Sequence, residues 1–103
     1  MGIDAGATAP TDRSDPTLAD EVKLIDGAQR ALQSEPRRAL ALVEEHARRF
    51  PDQLLEQERE VIAVAALVKL ERKAEAAERA QRFLSRFPRS AHAVRMRAVA
   101  ASQ

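Results

Sequence analysis

The tripeptide Arg49-Phe50-Pro51 recurs as Arg86-Phe87-Pro88, an offset of 37 residues. Ala39 and Ala76 keep that offset, and Leu32 and Leu70, across the preceding turn, stand 38 apart. A repeat of this length restricts the chain to architectures that use one unit twice, each copy burying against its neighbour a face it cannot bury alone. Each unit reads as helix, short turn, helix, Phe-Pro. Ala lets the paired helices approach closely, Phe plugs the far end of the pair, and Pro ends the second helix because its ring cannot continue it.

Composition agrees with helices and excludes most alternatives. Of 46 hydrophobic residues 21 are Ala, Gly is scarce, and Tyr and Trp are absent, which suits helix formers and leaves too few β-branched and aromatic residues for an all-β domain. A chain of 103 residues holds one domain. Without Cys there is neither a disulfide framework nor thiolate chemistry.

Residues 1–16 carry two of the three Gly, two of the five Pro and no apolar periodicity, and are read as a flexible tail or linker ahead of a helical domain over 17–103. Thr17 followed by Asp20 forms a capping-box pattern that opens helix one, which runs to about Gln33 with an apolar stripe of Leu18, Val22, Ile25, Ala28 and Leu32. Pro36 suits the first turn of helix two, whose stripe is Ala39, Leu40, Val43, Ala47 and Phe50. Asp52 is placed to cap helix three, from about Gln53 to Leu70, and Val61 to Val68 are apolar on every side, so this helix is the central element. Helix four runs from about Lys73 to Phe87. Ser90 is expected to cap a short fifth helix, with Ala91, Val94, Ala98 and Ala101 facing one way. The expected fold is all-α, a stack of two antiparallel helical hairpins plus a carboxyl-terminal capping helix.

This pattern resembles the tetratricopeptide-repeat family, and in particular the version with an aromatic-Pro ending found in bacterial envelope assembly and cell-division coordinator proteins. The resemblance covers roughly residues 17–101. Ala39 and Ala76 look like the family's small residue early in the second helix, Pro51 and Pro88 like its closing Pro, and Leu32 and Leu70 like the apolar residue ending the first helix. The sequence departs where the family's first-helix aromatic falls on Val22 and Glu60, and where its late second-helix Ala falls on His46 and Phe83. The resemblance implies a scaffold or adaptor that binds protein, commonly in bacterial envelope assembly or regulation. The compartment is unknown from the sequence: as written, without a signal segment, the chain reads as cytoplasmic, and as periplasmic if it is a fragment of an envelope protein.

Catalytic and cofactor chemistry find little footing. There is no Gly-rich phosphate loop and no pair of metal ligands at helical spacing. Glu44, Glu45 and His46 are consecutive, so their side chains point around a helix rather than converge. No enzyme, cofactor or metal is expected.

Two features are candidates for partner binding. Arg79, Arg82, Arg86 and Arg89 step by three, four and three along one edge of helix four and its exit. They read either as a basic rail for an acidic partner or as a solvated face paired in part with Glu75 and Glu78. Val64 and Leu67 lie off the Val61, Ala65, Val68 stripe of helix three. If open, they floor an apolar groove for a partner peptide; if helix three packs helix four on one face and helices one and two on the other, they are core.

The charge is nearly balanced at +1, with residues 1–51 at −2 and residues 52–103 at +3. With no net field and few aromatics to stack bases, nucleic acid is not an expected partner. No apolar stretch reaches the 18 or so residues a membrane span needs. The expected function is therefore a non-catalytic interaction module for a protein or peptide. The alternative is self-association with a second copy of the chain.

Overall fold

A computed structural model describes residues 17–50 and 55–102. They form α1 (Leu18–Ala31), α2 (Pro36–Arg49), α3 (Glu56–Lys69), α4 (Lys73–Arg86) and α5 (Ala93–Ala101), with no strand among the described residues. The fold is an all-α helical stack in which each helix packs on its neighbours in sequence. The tail at 1–16 and the cap expected from Asp52 lie outside the described residues.

The sequence repeat is a structural repeat. α1 and α3 start and end 38 residues apart, and α2 and α4 start and end 37 apart. The missing residue is lost in the turn, which spans 32–35 in the first unit and 70–72 in the second. The second helices end alike: Phe50 (φ −136°, ψ 64°) and Phe87 (φ −129°, ψ 62°) leave the helical region, each still donating its N–H four residues back, to the carbonyls of His46 and Phe83. Both Phe residues precede Pro in the sequence, and a Pro ring disfavours helical backbone at the residue before it. Each ring is covered by the guanidinium of the Arg before it, at 5.3 Å in the first unit and 5.5 Å in the second.

Local chemistry explains the other boundaries. Thr17 Oγ1 accepts the Asp20 N–H at 3.1 Å while Asp20 Oδ2 accepts the Thr17 N–H at 3.2 Å, a reciprocal capping box. Pro36 opens α2, where its missing amide has no intrahelical partner to lose. α3 closes in a Schellman motif: Arg72 N–H donates to Leu67 O, Glu71 N–H donates to Val68 O, and Glu71 takes the left-handed conformation (φ 62°). Ser90 does not start α5 as expected. Its hydroxyl accepts the His92 N–H within a turn, and the helix begins at Ala93.

The core divides into two clusters with α3 in both. Ile62, Ala63 and Ala66 pack with Ala28, Leu32, Ala39 and Val43 of the first hairpin. Val61, Val64 and Leu67 pack with Ala76, Ala80 and Phe83 of α4 and Met96 of α5. Small residues at 28, 39, 63, 66, 76, 77 and 80, all at most 1% exposed, let the backbones approach.

Three expected stripes are displaced. In α1, Leu18 and Val22 are exposed and Glu21 is buried, so the inward face runs Glu21, Ile25, Ala28, Leu32. In α3, Val68 faces out where Val64 was the candidate for exposure. In α5, Ala93 and Met96 are buried while Val94, Ala98 and Ala101 are exposed, and Ala91 lies exposed in the turn before the helix.

Candidate interaction surface

The described surface is dominated by an ion-pair network that ties α2, α3 and α4 together. Arg79 of α4 reaches across to α3, where its Nε donates to Glu60 Oε1 at 2.8 Å, and to α2, where its Nη1 donates to Glu44 Oε2 at 3.0 Å. Glu60 also accepts from Arg59 Nε at 2.9 Å. Further along, Arg86 lies against Glu56, with Nε at 2.9 Å from Oε2 and Nη2 at 3.1 Å from Oε1. Burial disfavours the Glu60 carboxylate, yet its bonds to Arg79 and Arg59 outweigh that and hold its carboxyl below the ordinary value. Arg79 is likewise raised, the two carboxylates overcoming the cost of burying its charge.

Beneath this network lies a polar cluster that closes the first unit. His46 of α2 is fully buried, and its Nε2–H donates to Glu21 Oε2 of α1 at 2.9 Å. Arg59 Nη1 of α3 approaches His46 Nδ1 and the Phe50 carbonyl, each at 3.5 Å. The Leu55 N–H adds a long bond to Glu21 Oε2 at 3.4 Å. With an acceptor at one ring nitrogen and a guanidinium at the other, the imidazole is held neutral in one tautomer, and burial keeps its pKa below the ordinary value against the pull of Glu21. The chain Glu21, His46, Arg59, Glu60, Arg79, Glu44 thus links α1 through α4 by polar contacts.

Each sequence candidate now has a place. Val64 and Leu67 are 1% and 3% exposed, so they are core, and α4 and α5 cover that face of α3; Leu67 only touches the base of a small cavity of about 120 Å³ that Leu40, Glu44 and Arg79 also line. Arg79 is an interior tie with its side chain only 17% exposed, and its carboxylates come from α2 and α3 rather than from Glu75 or Glu78 on its own helix. Arg82 is exposed and pairs with Glu78 at 3.5 Å. Arg86 and Arg89 are exposed at the exit of α4. Glu44, Glu45 and His46 do diverge, toward Arg79, Arg49 and Glu21 respectively.

An open concavity follows the end of α4. A cleft of about 220 Å³ is lined by Glu56, Glu60, Arg82, Phe83, Arg86 and Phe87. It continues past Phe87 and Arg86 into a second hollow of about 360 Å³ walled by Gln57, Pro88, Arg89 and Ser90. An apolar floor of aromatic ring edge, rimmed by three Arg and two Glu, can hold an extended segment that offers an apolar side chain and a carboxylate. Glu56 and Glu60 belong to this rim and carry no sequence signal beyond the acidic start of a helix. Among the described residues no three metal-ligating side chains converge, and no helix is long and apolar enough to cross a membrane.

No protein family, curated protein or solved structure matches this chain.

Proposed function

We propose that this chain is a non-catalytic interaction module, an adaptor or scaffold whose stacked helical hairpins hold a segment of another protein. The observation that carries the reading is the repetition of the hairpin, the same helix lengths recurring at offsets of 38 and 37 and the second helix of each closing on Phe in the same way. Stacked hairpins build extended surfaces that recognise polypeptide, and their core has no need of a cofactor. On this reading the resemblance to tetratricopeptide repeats extends from architecture to work. The partner segment lies along the cleft beside Phe87, with Arg82 and Arg89 meeting its carboxylates.

The test is quantitative affinity capture from the cell of origin with the wild-type chain and with the R82E/R89E variant, followed by binding measurements on the purified partner. The expected result is one protein lost tenfold or more from the variant at unchanged thermal stability, with the interaction reproduced by purified components. Equal recovery by both chains, or a chain that copurifies with a turnover-competent cofactor, overturns it.

A second reading, self-association, has its own support in Leu18 and Val22, which are 59% and 47% exposed on the outer side of α1. Light scattering separates the two: a monomer at micromolar concentration favours the adaptor, and a dimer that the L18E/V22E change dissolves favours self-association.

A further inference from the structure

We infer that α5 is not the end of the stack but a seat for one more helix, an acidic amphipathic helix from the partner. This seat deepens the adaptor reading and rests on it. α5 follows α3 at the same 37-residue offset, so Met96 takes the place of Arg59, Val99 that of Ile62 and Ala100 that of Ala63. In α3 these positions face the preceding hairpin, and so they do in α5: Met96 is 1% exposed, and Val99 and Ala100 pack on the cluster built by Phe83 and Ala80 of α4. α5 therefore docks on the second hairpin as α3 docks on the first.

α3 has a second apolar face, and α4 covers it: Val61 and Val64 are buried against Ala76, Ala80 and Phe83. The same register on α5 holds Ala98 and Ala101, continued by Val94, and all three are exposed, Val94 at 72%. A helix that closes a stack carries a polar outer face. α5 instead presents Val94, Ala98 and Ala101 in helical steps of four and three, the pattern of a face made to be covered.

Charge says what covers it. On α3, Glu60 receives Arg79 of the covering helix α4. On α5, Arg97 stands in the register of Glu60, so the covering helix must bring a carboxylate where α4 brings a guanidinium. Arg95 adds a second exposed cation, and no acidic residue follows Glu78 in the chain. A second copy of α4 would set its own line of Arg against Arg97. The fitting occupant is a partner helix with small and aromatic apolar residues on one face and Asp or Glu beside them.

The probe is a synthetic peptide of residues 73–86 carrying Arg79→Glu, Arg82→Glu and Arg86→Glu, titrated into the full chain labelled for amide NMR, with the unaltered 73–86 peptide as comparison. The expected result is that the acidic peptide shifts the amides of Val94, Arg97, Ala98 and Ala101 and binds about tenfold tighter than the basic one. A98E abolishes the binding with circular dichroism unchanged, and R97E reverses the preference between peptides. Equal or absent binding of the two peptides, binding that survives A98E, or shifts confined to α1 and α2 overturns the proposal. So does a homodimer in sedimentation that A98E converts to monomer, since a second copy then covers the face. The adaptor reading fails separately, at the R82E/R89E capture, which leaves α5 untouched.

Discussion

His46 of α2 stands where Phe83 stands in α4, each with its ring against the Phe that ends its helix, at centroid distances of 5.2 Å and 5.1 Å. Their neighbours differ in kind. Phe83 packs with Met96 of the following helix, whereas His46 meets Glu21 of its own hairpin and Arg59, which holds the register of Met96. One unit closes its end with apolar contacts, the other with a buried carboxylate, imidazole and guanidinium.

The polar version makes stability depend on pH. Burial holds the folded His46 below its ordinary value of 6.5. As pH falls below 6.5 the unfolded chain takes up a proton at His46 that the folded chain refuses, so stability is full above that pH and is lost progressively beneath it. A proton on Nδ1 would also point a donor at Arg59. Glu21 from α1, Arg59 and Glu60 from α3 are the charged groups that set this balance. Chemical denaturation at pH 7.5 and at about pH 5.5 is expected to show a lower midpoint at the acid end; an unchanged midpoint contradicts the buried neutral imidazole.

Giving the first unit an apolar end like that of the second tests the equivalence, with Phe and Met placed at 46 and 59 as at 83 and 96 and Leu replacing the carboxylate they would strand. The E21L/H46F/R59M variant replaces the polar cluster with residues of similar size, and exchanging a buried ionic group for well-packed apolar ones is often neutral or stabilising by about 1–4 kcal/mol. The expected variant is at least as stable as wild type, with the loss between pH 7.5 and 5.5 removed. H46A alone instead strands Glu21 and is expected to cost about 3 kcal/mol. A triple variant less stable than H46A would show that the two ends are not interchangeable.

Phe83 is the corresponding test in the second unit. It is 2% exposed and packs from α4 against both α3 and α5. Phe83→Ala is expected to cost about 3–5 kcal/mol in denaturant unfolding, because the ring bridges two helices that cannot collapse into the void. A loss under about 1 kcal/mol would remove Phe83 from the core.

The repeat, the five helices and the Phe caps were legible because each rests on local chemistry: periodicity, Pro, and a capping box. The buried cluster was not, because a periodicity reading counts Glu21 and Arg59 as polar and assigns them outward. That same counting turned α1 toward Leu18 and Val22. The signal that could have found the cluster was the alignment of the two units, which sets His46 in one column with Phe83 and Glu21 in one column with Arg59. The α5 stripe was real but faced out, since a helix with two apolar faces gives no local sign of which one the chain itself covers. Helical spacing relates Arg79 only to its own helix, whereas its partners lie 19 and 35 residues away, beyond that reach.

Glu60 carries the next expectation. Burial raises its carboxyl, but Arg79 and Arg59 together hold it below its ordinary 4.5, so its contribution is present above that pH and is lost as pH falls through the folded value. Glu60→Gln leaves two largely covered guanidinium groups with a neutral partner and is expected to cost about 2–3 kcal/mol at pH 7. The loss should shrink as pH falls below 4.5 and through the lowered folded value, where the wild-type carboxylate itself takes up a proton. A constant difference across that range would place the contribution of Glu60 in packing rather than charge.

The turn between α3 and α4 offers a change that should stabilise. Glu71 is the one non-Gly residue with positive φ among those described, at 62°, and it is exposed. Its side chain is not what the Schellman closure uses: the bonds that end α3 are backbone N–H groups of Glu71 and Arg72 donating to Val68 and Leu67. A side chain in the left-handed region costs roughly 1 kcal/mol relative to Gly, offset in part by the extra freedom Gly has when unfolded. Glu71→Gly is therefore expected to raise stability by up to about 1 kcal/mol, seen as a higher melting temperature with the circular dichroism of the folded state unchanged. Gly is the residue this position of the motif most often holds, and the first unit, whose turn is one residue longer, reaches α2 without any positive φ. A lower melting temperature would mean that Glu71 contributes through its side chain, and the closure of α3 would then have to be explained by contacts other than its backbone.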